Sequence, residues 1–168
     1  MAGLTAAARD RWIPLADKAA LKAGAWTALA CDEFHFLWVG GREGLKRFDP
    51  RAPEKGWLDF AAGAPYPGGA VTALGRSLDG RLLAGLAAGG VYAVDFTDDG
   101  QPQAQRYDAK GLPDKPVRAV YADSQGRVWV VAGGEVLFSQ PAPAPWRKHW
   151  RPVAPLPYGD HDIFAAVL

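Results

Sequence analysis

The chain has 168 residues, with 19 Lys and Arg against 18 Asp and Glu, a formal net charge of +1 and an apolar fraction of 49%. A chain of this size can bury a core, and its balanced charge argues against a general attraction to nucleic acids or to an anionic membrane surface. Its single cysteine excludes an internal disulfide and a cysteine-based zinc site, and no apolar run approaches the about 18 residues of a membrane-spanning helix.

The chain repeats itself from its first quarter onward. Residues 1–9 are expected to form a disordered segment or a tail. Residues 10–25 are expected to hold the outer strand of a preceding unit, marked by Arg11-Trp12-Ile13, and a loop. Four later segments open on aligned residues: Trp26, Val71, Val117 and Ile163. Their spacings of 45, 46 and 46 residues are typical of stacked supersecondary units, each of which buries its faces against its neighbours.

Each unit consists of short apolar runs joined by glycine-containing turns. In the third unit, Asp123-Ser-Gln-Gly126 joins the runs 117–122 and 128–132, and Gly133-Gly134 follows. Such runs, rich in β-branched and aromatic residues, predict antiparallel hairpin strands, and an aromatic residue marks a fourth strand. The aligned positions that we interpret as structural are Asp32 and Asp123, Gly80 and Gly126, Trp38, Leu83 and Trp129, and, in the fourth strand, Trp57, Tyr107 and Trp150. Ser77 replaces the aspartate in the second unit, and His35 replaces the turn glycine in the first.

Four antiparallel strands repeated every 45 residues or so predict an all-β fold, a β-propeller. The predicted four-stranded blades span 26–70, 71–116 and 117–162, and 163–168 supplies the first strand of another blade. Because propellers close with roughly four to eight blades, three blades form a partial ring. We therefore expect this sequence to be a fragment of a longer protein, or else to associate with another copy of itself, and the remaining blades or that copy are its predicted partners.

The third unit resembles the two-component regulator propeller repeat family. The resemblance is strongest over 109–138. It is carried by Gly111-Leu-Pro-Asp-Lys-Pro, by the Asp123 to Gly126 turn, and by Val128-Trp129 before the glycine pair. This resemblance implies a ligand-sensing input domain of a hybrid histidine kinase or a diguanylate cyclase. The implied location is periplasmic or extracytoplasmic. The short apolar stretch Leu4 to Ala8 is no signal peptide, so a complete chain would be cytoplasmic.

The predicted ligand contacts lie in the turns between second and third strands and in the loops between blades, which open on one face of a propeller. The residues expected to project there are Arg42, Glu43, Tyr66, Lys115 and His161. The expected ligand is a small molecule or a glycan. No catalytic residue, metal site or cofactor is predicted, and no contact with nucleic acid or membrane is expected from this segment.

Four local motifs favour a structural interpretation over a chemical one. Asp160-His161-Asp162 could hold a metal or act as a base, but its position favours a turn between blades. Asp95 to Gly100 lacks the ligand alternation of a calcium loop. Gly40 to Gly44 precedes a strand, whereas a phosphate loop precedes a helix. Trp146 to Arg151 interleaves aromatic and basic residues, as single-stranded nucleic-acid surfaces do, but Trp150 fits the packing column.

Three classes of function therefore stay open from the sequence. The first is a non-catalytic ligand-sensing module of a signal-transduction receptor, which predicts further blades, a membrane helix and an output domain in the coding frame. The second is a propeller scaffold that binds proteins. The third is a propeller enzyme, such as a streptogramin-lyase-like lyase. The fold alone does not separate them, because propellers serve all three purposes.

Overall fold

The computed structural model describes residue 21 and the ranges 26–60, 68–96, 102–107, 109–110, 112–140 and 148–152. The expectations for residues 1–9, Tyr66, His161 and the strand 163–168 lie outside these ranges, as does nearly all of 10–25. Within them the fold is all-β, as the repeat predicts, with a single 3-10 turn at Pro53–Lys55. No helix in this part of the chain has the length and hydrophobicity needed to cross a bilayer.

The strands form three sheets, and apart from β9 the strands of each sheet lie in chain order. The first sheet consists of β1 (Trp26–Cys31), β2 (Leu37–Gly41), β3 (Gly44–Phe48) and β4 (Trp57–Asp59). The second consists of β5 (Val71–Arg76), β6 (Leu82–Leu86), β7 (Val91–Phe96) and β8 (Pro102–Arg106). The third consists of β10 (Val117–Ala122), β11 (Val128–Ala132), β12 (Glu135–Gln140) and β13 (Lys148–Pro152), with the two-residue β9 (Ala109–Lys110) beside β13.

Strand β9 is a feature that the repeat does not predict. The sequence assigns 109–116 to the end of the second predicted blade, 71–116. Instead, Ala109 and Lys110 pair in parallel with Lys148 and His149 at the outer edge of the third sheet. This pairing gives the exposed edge of β13 a partner before the chain runs inward to β10. The loop from the second blade is thereby attached to the third.

Two apolar cores hold neighbouring sheets together. The residues of the core between the first and second sheets are Trp38, Leu45, Phe60, Val71, Leu82, Ala84, Leu86, Val94 and Ala104. Those of the core between the second and third sheets are Ala73, Leu83, Val91, Ala93, Tyr107, Val117, Val120, Val128, Val130, Ala132 and Leu137. In β6, Leu82 and Ala84 enter the first core and Leu83 enters the second, because successive side chains of a strand point to opposite faces. The middle blade is therefore buried on both faces.

Glycines on one blade make room for the inner strand of the next. A β-carbon at Gly40 would lie 2.5 Å from a methyl carbon of Val71, and one at Gly85 would lie 2.4 Å from a methyl carbon of Val117. These distances are far below van der Waals contact. The second strand of a blade therefore needs glycine at this position wherever a valine on the inner strand of the next blade packs against it. The equivalent residue of the third blade is Val131, which pairs with Ala119 as Gly85 pairs with Ala73.

The repeated aspartate accepts hydrogen bonds from its own turn and from the repeated tryptophan. Asp32 accepts from the backbone N–H of Phe36 at 2.9 Å and from Nε1 of Trp38 at 2.8 Å. Asp123 likewise accepts from Nε1 of Trp129 at 2.9 Å. The carboxylate thus closes the turn between first and second strands and satisfies an indole N–H that would otherwise be costly to bury.

The second blade changes both members of this pair together. Ser77 stands in place of the aspartate and donates from Oγ to the carbonyl of Arg81 at 3.0 Å, which closes the same turn. Leu83 stands in place of the tryptophan and is fully buried. A leucine has no N–H to satisfy, so the turn needs no second carboxylate oxygen. Serine with leucine is therefore a consistent alternative to aspartate with tryptophan.

One predicted column needs correction. Trp57 pairs with Phe48 and Trp150 pairs with Ser139, and these partners are equivalent residues of β3 and β12. Tyr107 lies three residues beyond the corresponding position of β8, which is occupied by Ala104 opposite Val94. The true equivalent of Tyr107 is Phe60. An aromatic residue alone does not fix the register of the short fourth strand, so the predicted equivalence of Tyr107 with Trp57 and Trp150 is wrong.

The backbone identifies Phe60 and Tyr107 as equivalent. The N–H of Phe60 donates to the carbonyl of Leu45 at 2.9 Å, and that of Tyr107 donates to the carbonyl of Val91 at 2.7 Å. Leu45 and Val91 are equivalent residues near the start of the third strand of their blade, opposite Gly40 and Gly85. Both aromatic rings are buried. Each closes the outer end of one interblade core.

Candidate ligand-binding face

The turns between second and third strands lie beside the loops that connect the blades. We call this end of the sheets the upper face, and define it by the turn residues 42–43, 87–88 and 133–134 and the loop residues 68–70 and 112–116. The N–H of Ala87 donates to the carbonyl of Ala70 at 2.9 Å, which ties the second blade's turn to its incoming loop. A β-carbon at Gly89 would lie 2.9 Å from the backbone of Asp114 and Lys115. The loop before the third blade therefore rests on the turn of the second.

Lys115 lies between two blades on this face. A β-carbon at Gly133 would lie 2.1 Å from Cδ of Lys115, so the aliphatic stem of the lysine rests directly on the third blade's glycine turn. Gly133 has φ 59°, a left-handed backbone conformation in which glycine avoids strain. The lysine is exposed, and its backbone N–H donates to the carbonyl of Pro113 at 2.8 Å. The stem is thus positioned while the ammonium group remains at the surface.

A carboxylate and a guanidinium adjoin this lysine. Asp114 lies 3.2 Å from Arg106 in an ion pair whose aspartate side chain is 84% exposed. In such an exposed pair the Coulomb attraction is largely offset by solvent. Neither residue is marked by a sequence motif as a ligand contact, although Asp114 directly precedes the predicted Lys115. The register that brings Arg106 next to this loop could not be deduced without the structure.

Arg42 and Glu43 form the turn of the first blade and are both exposed. Gly44 follows with φ 105°, and the nearest backbone to its open side is the carbonyl of Gly69, 3.8 Å from a built β-carbon. This turn therefore adjoins the loop that enters the second blade. Arg42, Glu43 and Lys115 therefore lie on the same face of the structure. Arg42 and Glu43 are on the first blade, and Lys115 lies between the second and third blades. That they bind a ligand remains a prediction.

The upper face carries charged side chains on well-defined turns. In the described ranges, no three histidine, cysteine or acidic residues come together in a way that would hold a metal ion. Cys31 is a free, exposed cysteine at the end of β1, at the opposite end of the strand from the upper face. The chemistry that this face offers is recognition by hydrogen bonds and charge, from lysine and arginine donors and from carboxylate acceptors.

Comparison with known proteins identifies the family that the third blade resembles. Residues 111–134 match the sequence profile of the two component regulator propeller family. The matched segment comprises the loop with Asp114 and Lys115, strands β10 and β11, and the Asp123 turn between them. The similarity proposed from the sequence is thereby confirmed for this segment. No curated protein matches the chain.

Solved structures with a similar fold are propeller proteins of diverse activity. A catalytically inactive virginiamycin B lyase from Staphylococcus aureus with quinupristin superposes with a TM-score of 0.56 at 11% identity, covering 79% of this chain and 42% of the lyase. A putative gluconolactonase superposes with a TM-score of 0.56 at 14% identity, covering 77% of this chain and 48% of the other. The extracellular domain of a putative hybrid two component system from B. thetaiotaomicron gives a TM-score of 0.36 at 13% identity, covering 76% and 23%.

The first two of these comparisons establish the fold. The chain spans less than half the length of each of these three proteins. At 11–14% identity the likeness to the lyase and the gluconolactonase shows a shared propeller architecture. Activity depends on particular site residues, so a shared architecture does not transfer it.

Proposed function

We propose that these blades belong to a non-catalytic, ligand-sensing propeller module of a bacterial-type signal-transduction receptor. The observation that carries the proposal is the match of residues 111–134 to the two component regulator propeller family. The same segment contains Lys115 and ends on the glycine turn that supports its stem. The proposed location is the periplasmic or extracytoplasmic side of a membrane, and the proposed ligand is a small molecule or a glycan.

The upper face suits such a role because its charged groups come from different blades. Lys115 touches the turns of both the second and the third blade, and Arg42 and Glu43 are on the first. A ligand that contacts several of these groups would bind blades to one another, and its binding energy would favour one relative arrangement of blades over others. A sensor needs this coupling between binding and conformation.

Thermal denaturation against a panel of ligands tests the proposal. Purified chain is heated with monosaccharides, oligosaccharides and amino acids in turn, and the melting temperature Tm is recorded. A ligand of the upper face raises Tm of the wild type, because binding to the native state alone stabilises it by mass action. Lys115→Ala and Arg42→Ala are expected to reduce the shift. Lys55→Ala is the matched control, because Lys55 is an exposed lysine in the turn at the opposite end of the sheet.

The other two functions give different results in the same preparation. A propeller scaffold shows no Tm shift with any member of the panel but retains a protein partner on a column. A propeller enzyme converts a ligand, so that a new product is detected by mass spectrometry.

Reading the coding frame beyond residue 168 is an independent test. The receptor proposal requires further blades, a membrane helix and a kinase or cyclase domain there.

A further inference from the structure

An arginine side chain is surrounded by aromatic rings at the end of the first two sheets opposite to the upper face. The guanidinium carbon of Arg47, on β3, lies 4.5 Å from the ring centre of Phe36 and 4.8 Å from that of Phe96, at the end of β7. It also lies 5.9 Å from the ring of Trp38. We call these four residues the arginine cage. Cation–π contacts at these distances hold the guanidinium group in place.

The fold does not require an arginine at this position. Arg47 pairs with Trp38, and the equivalent residues of the other two blades are Ala93 and Phe138. Phe138 stacks on Trp129 with ring centres 5.1 Å apart. An alanine or a phenylalanine therefore suffices wherever packing alone is at stake. The arginine introduces a charge between two blades where its equivalents are apolar.

This charge has no carboxylate partner among the residues that the structure describes. Four other arginines in those ranges form ion pairs with aspartates: Arg51 with Asp49, Arg81 with Asp79, Arg106 with Asp114, and Arg127 with Asp123. Asp49, the carboxylate nearest to Arg47 along the chain, is bonded to Arg51. The rings around Arg47 contact its charge but provide no oxygen for its N–H groups. A half-buried guanidinium thus retains unused donors in a planar fork, which matches a carboxylate.

The rim of the cage adds an exposed ring and a second positive charge. Phe34 is 47% exposed and packs edge-on against Phe96, with ring centres 6.1 Å apart. The guanidinium carbon of Arg51 lies 5.1 Å from the ring centre of Phe36, and the Arg51 side chain is 66% exposed. A ligand that reaches Arg47 therefore meets an apolar surface beside a cationic one.

From this geometry we propose that the arginine cage binds an aromatic carboxylic acid. The carboxylate pairs with the N–H fork of Arg47, and the ring of the ligand lies against Phe34 and Phe96. The ligand is either a free small acid or an acidic residue next to an aromatic one in a peptide, since the recognised chemistry is the same. The cage is separate from the upper face, so this inference does not rest on the proposed function.

Calorimetric titration of the chain tests the cage with phenylacetate as the probe. Wild type is expected to bind phenylacetate saturably, and to show at least ten-fold weaker binding of benzyl alcohol, which lacks the charge, and of acetate, which lacks the ring. Arg47→Phe is expected to abolish binding while preserving the fold, because it reproduces the Trp129 and Phe138 stack of the third blade. Arg47→Lys is expected to weaken binding at least five-fold, since an ammonium group offers no planar fork.

Arg81→Gln is the control, because Arg81 pairs with Asp79 in the turn between β5 and β6 and takes no part in the cage. It should bind phenylacetate like the wild type. A blocked phenylalanyl-glutamate dipeptide distinguishes the two sources. Tighter binding of the dipeptide indicates a peptide ligand, and tighter binding of phenylacetate indicates a small acid. The proposal is overturned if wild type does not bind either probe, if benzyl alcohol binds equally well, or if a folded Arg47→Phe or Arg47→Lys variant retains full affinity.

Discussion

Replacing Asp123 by asparagine should destabilise the third blade because one acceptor oxygen, Oδ2, is replaced by a donor group. Oδ1 of Asp123 accepts from the backbone N–H groups of Gln125 and Arg127 at 2.9 and 3.0 Å, and an asparagine oxygen retains both bonds. Oδ2 accepts from Nε of Arg127 at 2.6 Å and from Nε1 of Trp129 at 2.9 Å. In Asp123→Asn an NH₂ group replaces Oδ2, so donors face donors and the indole N–H loses its acceptor.

The magnitude follows from the ionisation of the carboxyl group. Desolvation alone would raise the pKa of Asp123, but hydrogen bonds from Trp129 and Arg127 outweigh it and lower the pKa from 3.8 to about 2. A depression of this size corresponds to about 2 kcal/mol of stabilisation by the ionised form. Because the folded-state pKa is the lower one, this stabilisation is complete above the unfolded value and is lost as the pH falls from about 4 towards 2.

Urea unfolding followed by tryptophan fluorescence measures the effect. At pH 7 the free energy of unfolding of Asp123→Asn should be about 2 kcal/mol below that of the wild type. At pH 2.5 the difference should fall below about 1 kcal/mol, because the wild-type carboxyl is then partly protonated. Asp114→Asn is the control, since its ion pair is exposed and should contribute less than about 0.5 kcal/mol. A loss at pH 7 as small as in this control, or one equal at both pH values, would refute the reasoning.

Two further substitutions test the turn and the blade interface. His35 has φ 67°, whereas the equivalent turn residues of the other blades are glycines. His35→Gly should therefore raise the free energy of unfolding by about 0.5–1 kcal/mol in the same urea assay. A loss of stability would show that the histidine ring and its 3.0 Å contact with the carbonyl of Glu33 outweigh the backbone strain. Gly85→Ala should lower it by about 1–3 kcal/mol, because the new β-carbon meets Val117 at 2.4 Å. In a Val117→Ala background, Gly85→Ala should lower the free energy of unfolding by less than it does in the wild type. Equal losses in the two backgrounds would mean that the destabilisation does not arise from the contact with Val117.

The sequence predicted the hairpins well because their signals are local. Strands β6, β7, β10 and β11 begin and end at the residues where apolar runs meet turn residues, and the aspartate and tryptophan columns are six residues apart within one hairpin. Hydrophobic alternation and turn chemistry determine such contacts without reference to the rest of the chain. The sequence alone therefore predicts these hairpins correctly.

Features that depend on distant residues could not be deduced in this way. The pairing of β9 with β13 joins segments almost forty residues apart, and no turn motif in the sequence indicates this pairing. The equivalence of Tyr107 with Phe60 depends on the register of the outer strand, which is short and irregular in sequence. On the candidate face, the sequence singles out Lys115 because it is in a loop between blades, but it does not indicate that Arg106 of the preceding blade lies beside that loop.

The surfaces of the third blade indicate how a further neighbour must differ from the blades described. Gly75 and Gly85 let the inner strand of the third blade approach the second, since β-carbons there would lie 2.7 Å from the carbonyl oxygen of Val120 and 2.4 Å from a methyl carbon of Val117. The equivalent residues of the third blade are Tyr121 and Val131, and Tyr121 is 56% exposed. A sheet that packs on this face must therefore present small residues where the second and third blades present valine, or lie further away. The strand pattern that the three blades share determines the fold of each blade. Residues that differ between blades, such as Gly85 and Val131, determine which sheet surfaces can pack together.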